Sequence, residues 1–247
     1  MIPKVSIVIP VHNEDETVDG FLDRLFEAVR TPSEVLAVYD TPDDRTVPRL
    51  EAYAARESRL RPILNSFGPG PAPAIRSGME ASKADVVVVT MADGSDDPYL
   101  IDPLVHLVDR GVVIAAASRY SRGGQQVGGP LVKRTLSRLA GVTLYWFARV
   151  GTRDATNSFK AYSRAFLREA GVNSDTGFEV GIELVAKARR LRRPVAELPT
   201  IWIDRTAGES NFRVLGWIPS YLRWYFFAFG RRLDREALQR KVGKAAH

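Results

Sequence analysis

Short runs of β-branched residues alternate with longer stretches of helical period through the first half of the chain, and this alternation restricts the possible folds most. Val5-Ser6-Ile7-Val8-Ile9 stops at Pro10, and residues 14–30 then carry Val18, Phe21, Leu22, Leu25 and Val29 at the spacing of one buried helical face. Residues 34–39 read as a second strand, 47–59 as a helix and 61–65 as a short strand. The prolines and glycines of 68–73 predict a loop, and 74–83 a helix. Val86-Val87-Val88-Val89 shows no polar alternation, which suits a central strand covered on both faces. Strand–helix repetition of this kind predicts an α/β fold with a mainly parallel, Rossmann-like sheet flanked by helices.

Residues 112–117 repeat the apolar run and lead into Ser118-Arg119-Tyr120. Beyond them the pattern loosens into a glycine-rich loop at 123–129, a helix over 131–150, a strand over 158–162, a helix over 177–191 and a strand over 197–203. A chain of 247 residues with 45% hydrophobic composition can bury one large core. We expect one large domain over 1–212 and, over 213–247, an amphipathic, aromatic helix with a basic tail.

The chain has no cysteine, so disulfides, zinc–thiolate sites and thiol nucleophiles are excluded. Chemistry must rest on carboxylates, basic groups, hydroxyls or a hard metal. The formal charge of +6 calls for an anionic partner, but the basic residues are interspersed with acids and no nucleic-acid motif is present. Met1-Ile2-Pro3-Lys4 lacks the form of a signal peptide, and the apolar run Trp224 to Phe229 is far short of the roughly 20 residues of a spanning helix. The expected location is the cytoplasm, peripheral at the membrane face.

Asp93, Asp96 and Asp97 follow the valine run, and ligands of parallel sheets bind beyond the carboxyl ends of the strands. Asp93 is the better candidate for a divalent metal, with Ser95 beside it, whereas Asp96 and Asp97 are better explained as caps of the helix starting at Pro98. Asp40 ends the second strand, where it suits either a base or ribose contact or a solvated turn. Arg119, Lys133, Arg134 and Arg205 are candidates for phosphate, or else surface charges. Arg189-Arg190 and Arg192-Arg193 read as a solvated helix end. His12, His106 and His247 lack metal-ligand spacing. In residues 214–229, Tyr221, Leu222, Trp224, Tyr225, Ala228 and Phe229 recur at helical spacing, with Pro219 near the first turn. This face suits a membrane interface, the chain's own core or a dimer contact.

Taken in order, several segments resemble the inverting family-two glycosyltransferases, and among them the dolichol-phosphate mannose synthase and polyprenyl-phosphate kind. Val8-Ile9-Pro10-Val11-His12-Asn13-Glu14 is similar to an apolar strand followed by Pro-x-Tyr-Asn-Glu, with His12 in the aromatic's place. Asp40 falls at the second acid of Asp-Asp-Gly-Ser, with Tyr39 replacing the first. Ala74-Ile75-Arg76-Ser77-Gly78 resembles the helix start beside the diphosphate, and Met91-Ala92-Asp93 occupies the Asp-x-Asp position with its first acid lost. Ser118-Arg119-Tyr120, Asp154 to Lys160, Gly177-Phe178-Glu179, Glu183-Leu184 and Arg205 to Ser210 resemble later segments, and Asn211 stands where a lysine is usual.

The resemblance implies a GT-A fold, a nucleoside-diphosphate donor (a GDP- or UDP-hexose), Mg2+ or Mn2+, inversion, and transfer to a polyprenyl phosphate at a membrane surface. It assigns donor binding to Pro10, Val11, Asn13, Glu14, Asp40, Arg76, Ala92 and Asp93, and acceptor phosphate binding to Arg119, Lys133, Arg134 and Arg205. An anionic lipid phosphate needs no strong base. An alcohol acceptor would need one, with Asp154 as first candidate and Glu179 as second. The alternatives are transfer to a soluble or saccharide hydroxyl and an inactive nucleotide-binding homologue. The nucleotide base, the sugar and the oligomeric state are left open.

Overall fold

The computed structural model describes residues 2–204 and 214–243. Seven strands form one sheet: β1 (Val5–Val11), β2 (Ser33–Tyr39), β3 (Leu60–Leu64), β4 (Val86–Val89), β5 (Ile114–Ser118), β7 (Lys160–Ser163) and β8 (Val195–Pro199). Their order is β3-β2-β1-β4-β7-β5-β8. All pair in parallel except β7, which runs antiparallel between β4 and β5, with Lys160 opposite both Val89 and Ala116. The outer pair β6 (Gln125–Val127) and β9 (Ile201–Ile203) forms a second, two-stranded sheet.

The continuous apolar character of β4 has the expected cause, since both of its faces are covered, as are those of β1. On one side Ile7, Ile9 and Val88 pack with Phe21, Leu22 and Leu25 of α1 (Val18–Ala28) and with Leu104 and Val105 of α4 (Ile101–Asp109). α2 (Val47–Ala54) adds Leu50 and Tyr53 there. On the other, Val8, Leu36 and Val89 meet α3 (Pro71–Ala81) and α7 (Val180–Arg190). α6 (Arg164–Ala170) follows β7 directly.

Several boundaries depart from expectation for local reasons. α3 begins at Pro71, three residues early, because prolines in a first helical turn give up only N–H groups that have no partner in the helix. The long helix over 131–150 is α5 (Leu131–Thr143) followed by a π turn over Leu144–Ala148, and it ends at Arg149 in the left-handed region (φ 57°). The single strand expected over 197–203 is two. The chain changes sheet at Thr200, whose amide donates to the Ser118 carbonyl.

α8 (Val214–Ala228) lies against α7, with Trp224 and Ala228 in the core, while Phe226 and, just past the helix end, Phe229 are exposed. The face expected from spacing is therefore divided between the protein core and the surface. Pro219 sits inside this helix. α9 (Arg235–Gly243) closes the described chain. Arg190 corrects the reading of a solvated helix end, because it is buried and donates from Nε to the Arg231 carbonyl. Its neighbour Arg189 donates to the Gly230 carbonyl, so the pair fastens the segment after α8 to α7. Among the described residues no helix is long and apolar enough to cross a membrane.

Candidate functional site

A cleft of about 940 Å³ opens at the carboxyl ends of β1, β2 and β4. Pro10, Val11 and Glu14 enter from β1, Asp40 from β2, and Ala92, Asp93 and Ser95 from β4. Because β7 is antiparallel, the loop leading into it (Thr156, Asn157, Ser158) reaches the same edge. α5 and α8 form the opposite wall with Leu136, Leu139 and Thr143 facing Trp217, Tyr221 and Tyr225. They are joined where the Tyr225 hydroxyl donates to Thr143 Oγ1 at 3.0 Å.

The acidic end is built from tight turns. Asp40 accepts from Asn65 Nδ2 and from the Gly70 amide, both at 2.8 Å, and so ties the 65–70 loop to the end of β2 just before α3. Asp93 Oδ1 accepts from the amide (3.0 Å) and hydroxyl (2.6 Å) of Ser95. Asp97 caps the turn at Pro98 by accepting from the Tyr99 amide, as expected. Asp96 does not cap. It is buried and turns back to accept from Thr90 Oγ1 (3.1 Å), and burial, reinforced by the charge of Asp93, pushes its carboxyl up to about 7. Asp93 and Asp96 both line the cleft, so their mutual repulsion is where a hard cation would be stabilised. Among the described residues no three His, Cys, Asp or Glu converge on one point, so a divalent ion here would complete its shell from a diphosphate and water.

The basic end is organised by a buried ion pair. Arg119 donates from Nε (2.7 Å) and Nη2 (2.8 Å) to the two oxygens of Asp154, and its amide also donates to that carboxylate. Burial opposes ionisation of Asp154, yet Arg119 outweighs it and holds the carboxyl below its ordinary range. Arg119 Nη2 continues to Ser137 Oγ, which contacts Thr156 Oγ1 at 2.6 Å. α5 comes this close because residue 141 is glycine; a Cβ there would stand 2.0 Å from the Arg153 carbonyl oxygen. Beneath the loop lies Lys160, fully buried, its ammonium pulled down to about 7 by burial against the opposing charge of Asp154. Beside the main cleft, Arg119, Arg134 and Arg138 line a polar hollow of about 450 Å³ with Tyr120 and Gln126.

The structure therefore brings Pro10, Val11, Glu14, Asp40, Ala92, Asp93, Ser95, Arg119 and Arg134 to one cleft. Arg76 lies elsewhere on α3, paired with Glu80 and stacked on Phe67. Asn13 (φ 55°) is turned to Asp44, to which its amide donates, and is not part of the cleft wall. Asp154 and Glu179, the candidate bases for an alcohol acceptor, are both buried and engaged. Asp154 is 0% exposed and held at both oxygens by Arg119, while Glu179 is 1% exposed and accepts from the amides of Thr176 and Gly177 at the entry to α7. Arg205, and the side chain of Lys133, lie outside the described residues. The sequence reading missed Asp96, Ser137 and Lys160 as parts of the site, and it missed the aromatic wall of Phe178, Trp202 and Trp217. For Lys160 a signal existed: a lone charge opens a short strand whose next residues are apolar.

Comparison with known proteins gives a family and a fold. The family described as Glycosyl transferase family 2 matches residues 6–171. A dolichol-phosphate mannosyltransferase of Pyrococcus furiosus is 26% identical over 217 residues, 85% of this chain and 59% of that protein. An undecaprenyl-phosphate mannosyltransferase of Micrococcus luteus is 27% identical over 214 residues, 84% of this chain and 87% of that one. The crystal structure of glucosyl-3-phosphoglycerate synthase from Mycobacterium tuberculosis, in complex with Mn2+, uridine diphosphate and glucosyl-3-phosphoglycerate, superposes with a TM-score of 0.69 at 18% identity, covering 94% of this chain and 81% of that one. The shared architecture is the GT-A fold.

Proposed function

We propose, from the premise that this chain belongs to glycosyl transferase family 2 and is a glycosyltransferase, that it moves a hexose from a nucleoside-diphosphate sugar to a polyprenyl phosphate at a membrane surface. One observation carries the reading. The cleft has an acidic end at Asp40, Asp93 and Asp96 and an arginine end at Arg119 and Arg134, and its outer wall is made of α5 and α8. Outside the cleft, Phe226 and Phe229 are exposed, as are Trp146 and Phe147 of the π turn. A nucleotide at one end, a phosphate at the other and a hydrocarbon chain leaving between α5 and α8 would fill it. The relatives named for dolichol and undecaprenyl phosphate, and the uridine diphosphate and Mn2+ of the superposed synthase, agree with this assignment.

In this mechanism an oxygen of the acceptor phosphate attacks the anomeric carbon from the face opposite the leaving group. The bond from that carbon to the diphosphate breaks, its electron pair leaves with the nucleoside diphosphate, and the configuration inverts. The attacking oxygen is already anionic, so no base is required, in keeping with carboxylates at Asp154 and Glu179 that are both engaged. Arg119 and Arg134 orient the acceptor phosphate. Asp93 and Asp96 would hold Mg2+ or Mn2+, which when bound neutralises charge on the departing diphosphate. In this reading α8 serves as the membrane-facing part of the site.

The test offers the full chain UDP- and GDP-hexoses with Mg2+ or Mn2+, with and without a polyprenyl monophosphate, and follows the sugar by mass spectrometry. Sugar in the organic phase that depends on the polyprenyl phosphate supports the reading. Transfer confined to water-soluble hydroxyl acceptors overturns it.

A further inference from the structure

Lys160 is a fully buried lysine that no step of the transfer chemistry uses. Its strand places it between the ends of β4 and β5, under the floor of the cleft. Nζ donates to the carbonyl oxygens of Ala155 (3.3 Å) and, closer still, Asn157, both in the turn that carries Thr156, Asn157 and Ser158 into the cleft. From the far side α7 closes on the same point. A Cβ on Gly181 would lie 2.8 Å from the Asn157 oxygen and 3.3 Å from both Nζ and the Ala155 oxygen. The turn is fastened at two further places: Asn157 Nδ2 donates to the Ala117 carbonyl (2.9 Å), and Thr156 meets Ser137 of α5. Asp154, Arg119 and Asp96 are the charged groups whose fields reach the ammonium.

Burying an ammonium carries a large desolvation penalty, and a methionine would fill the same space without it. What the lysine adds is a donor to two carbonyls of one turn, beside a carboxylate. We propose that Lys160 is a positioning residue, whose ammonium holds the 155–158 turn in the shape that presents Thr156, Asn157 and Ser158 to the acceptor end of the cleft. The inference rests on the proposed transfer reaction for its kinetic consequence, though not for its structural one.

Lys160→Met and Lys160→Gln in the full chain test it, since glutamine keeps one donor and methionine none. Amide hydrogen exchange in Lys160→Met should rise by about tenfold across residues 154–159, with the rest of the chain unchanged. Calorimetry with UDP and GDP in MnCl2 should give wild-type dissociation constants. Turnover against a polyprenyl monophosphate should lose about tenfold in kcat/KM in Lys160→Met, and less in Lys160→Gln. A folded Lys160→Met with unchanged exchange in the turn overturns the proposal. So does a global rise in exchange with equal kinetic losses in both variants, which is the mark of a purely structural lysine. Should Lys160→Met not fold, Gly181→Ala displaces the turn from the other side while leaving Lys160 in place, and wild-type kinetics in that variant overturn the proposal. If wild-type protein transfers no sugar to any acceptor, the functional reading fails, and the exchange measurement still decides the role of Lys160.

Discussion

Replacing Asp154 by asparagine separates a structural carboxylate from a catalytic base. Asp154 is 0% exposed and makes a two-pronged ion pair with Arg119 at 2.7 and 2.8 Å, so losing its charge leaves a buried guanidinium without its counter-ion. Removing one partner of such a pair costs about 3–5 kcal/mol. Asparagine retains one acceptor for Arg119, which puts the expected loss at about 3 kcal/mol. At roughly 2–4 °C per kcal/mol for a chain of this size, the melting temperature should fall by roughly 6–12 °C. Turnover should fall because Arg119 is no longer aimed, while the shape of the pH–rate profile is kept. The double replacement Arg119→Met with Asp154→Leu should regain most of the stability and none of the activity, since an apolar pair fills the space without buried charge. Calorimetric melting beside pH–rate profiles is the assay. An Asp154→Asn protein that melts like wild type but loses turnover, together with the acid limb of its profile, would refute the argument and restore Asp154 as a base facing the acceptor.

Asp96 gives a pH signature. A carboxyl raised to about 7 by burial and by Asp93 keeps its proton in the folded state while the unfolded chain has lost its own, so stability falls as pH rises from about 4 to 7. In chelator, Asp96→Asn should flatten that slope and melt higher than wild type at pH 8; an unchanged slope counts against it. Asp40→Ala should release the 65–70 loop and weaken nucleoside diphosphate binding about tenfold by calorimetry, with kcat little changed. Equal affinity would return Asp40 to an ordinary turn residue. Phe226→Asp with Phe229→Asp, at positions 66% and 42% exposed and outside the cleft lining, should leave melting unchanged and abolish flotation on anionic vesicles. Flotation equal to wild type would remove α8 from the membrane interface.

What was legible in the sequence followed periodicity. The valine run over 86–89 announced a strand covered on both faces, and the spacing of Val18, Phe21, Leu22 and Leu25 announced the helix that covers one of them. Strand ends then located Asp40, Asp93 and Arg119 at one edge, because parallel topology sends those ends to the same side. Less legible were features decided by long-range partners. No local signal tells that Asp154 meets Arg119, 35 residues away, or that Arg190 reaches the Arg231 carbonyl 41 residues on. The helical face of α8 was visible, yet its division between core and surface depends on where α7 lies, which no single segment encodes. Asp96 was misread because Asp before Asp-Pro satisfies the capping pattern twice, and only the turn at Gly94 (φ 71°) decides which carboxylate points inward.

The central claim is the bond that forms, and phosphorus NMR observes it directly. With purified full-length protein, a UDP- or GDP-hexose, Mn2+-free Mg2+ buffer and a short-chain polyprenyl monophosphate in detergent, the account predicts that the acceptor's monoester resonance converts to a phosphodiester as nucleoside diphosphate appears in equal amount. Release of nucleoside diphosphate with the monoester resonance unchanged would contradict it, because the sugar would then have gone to water or to a hydroxyl instead of to the lipid phosphate.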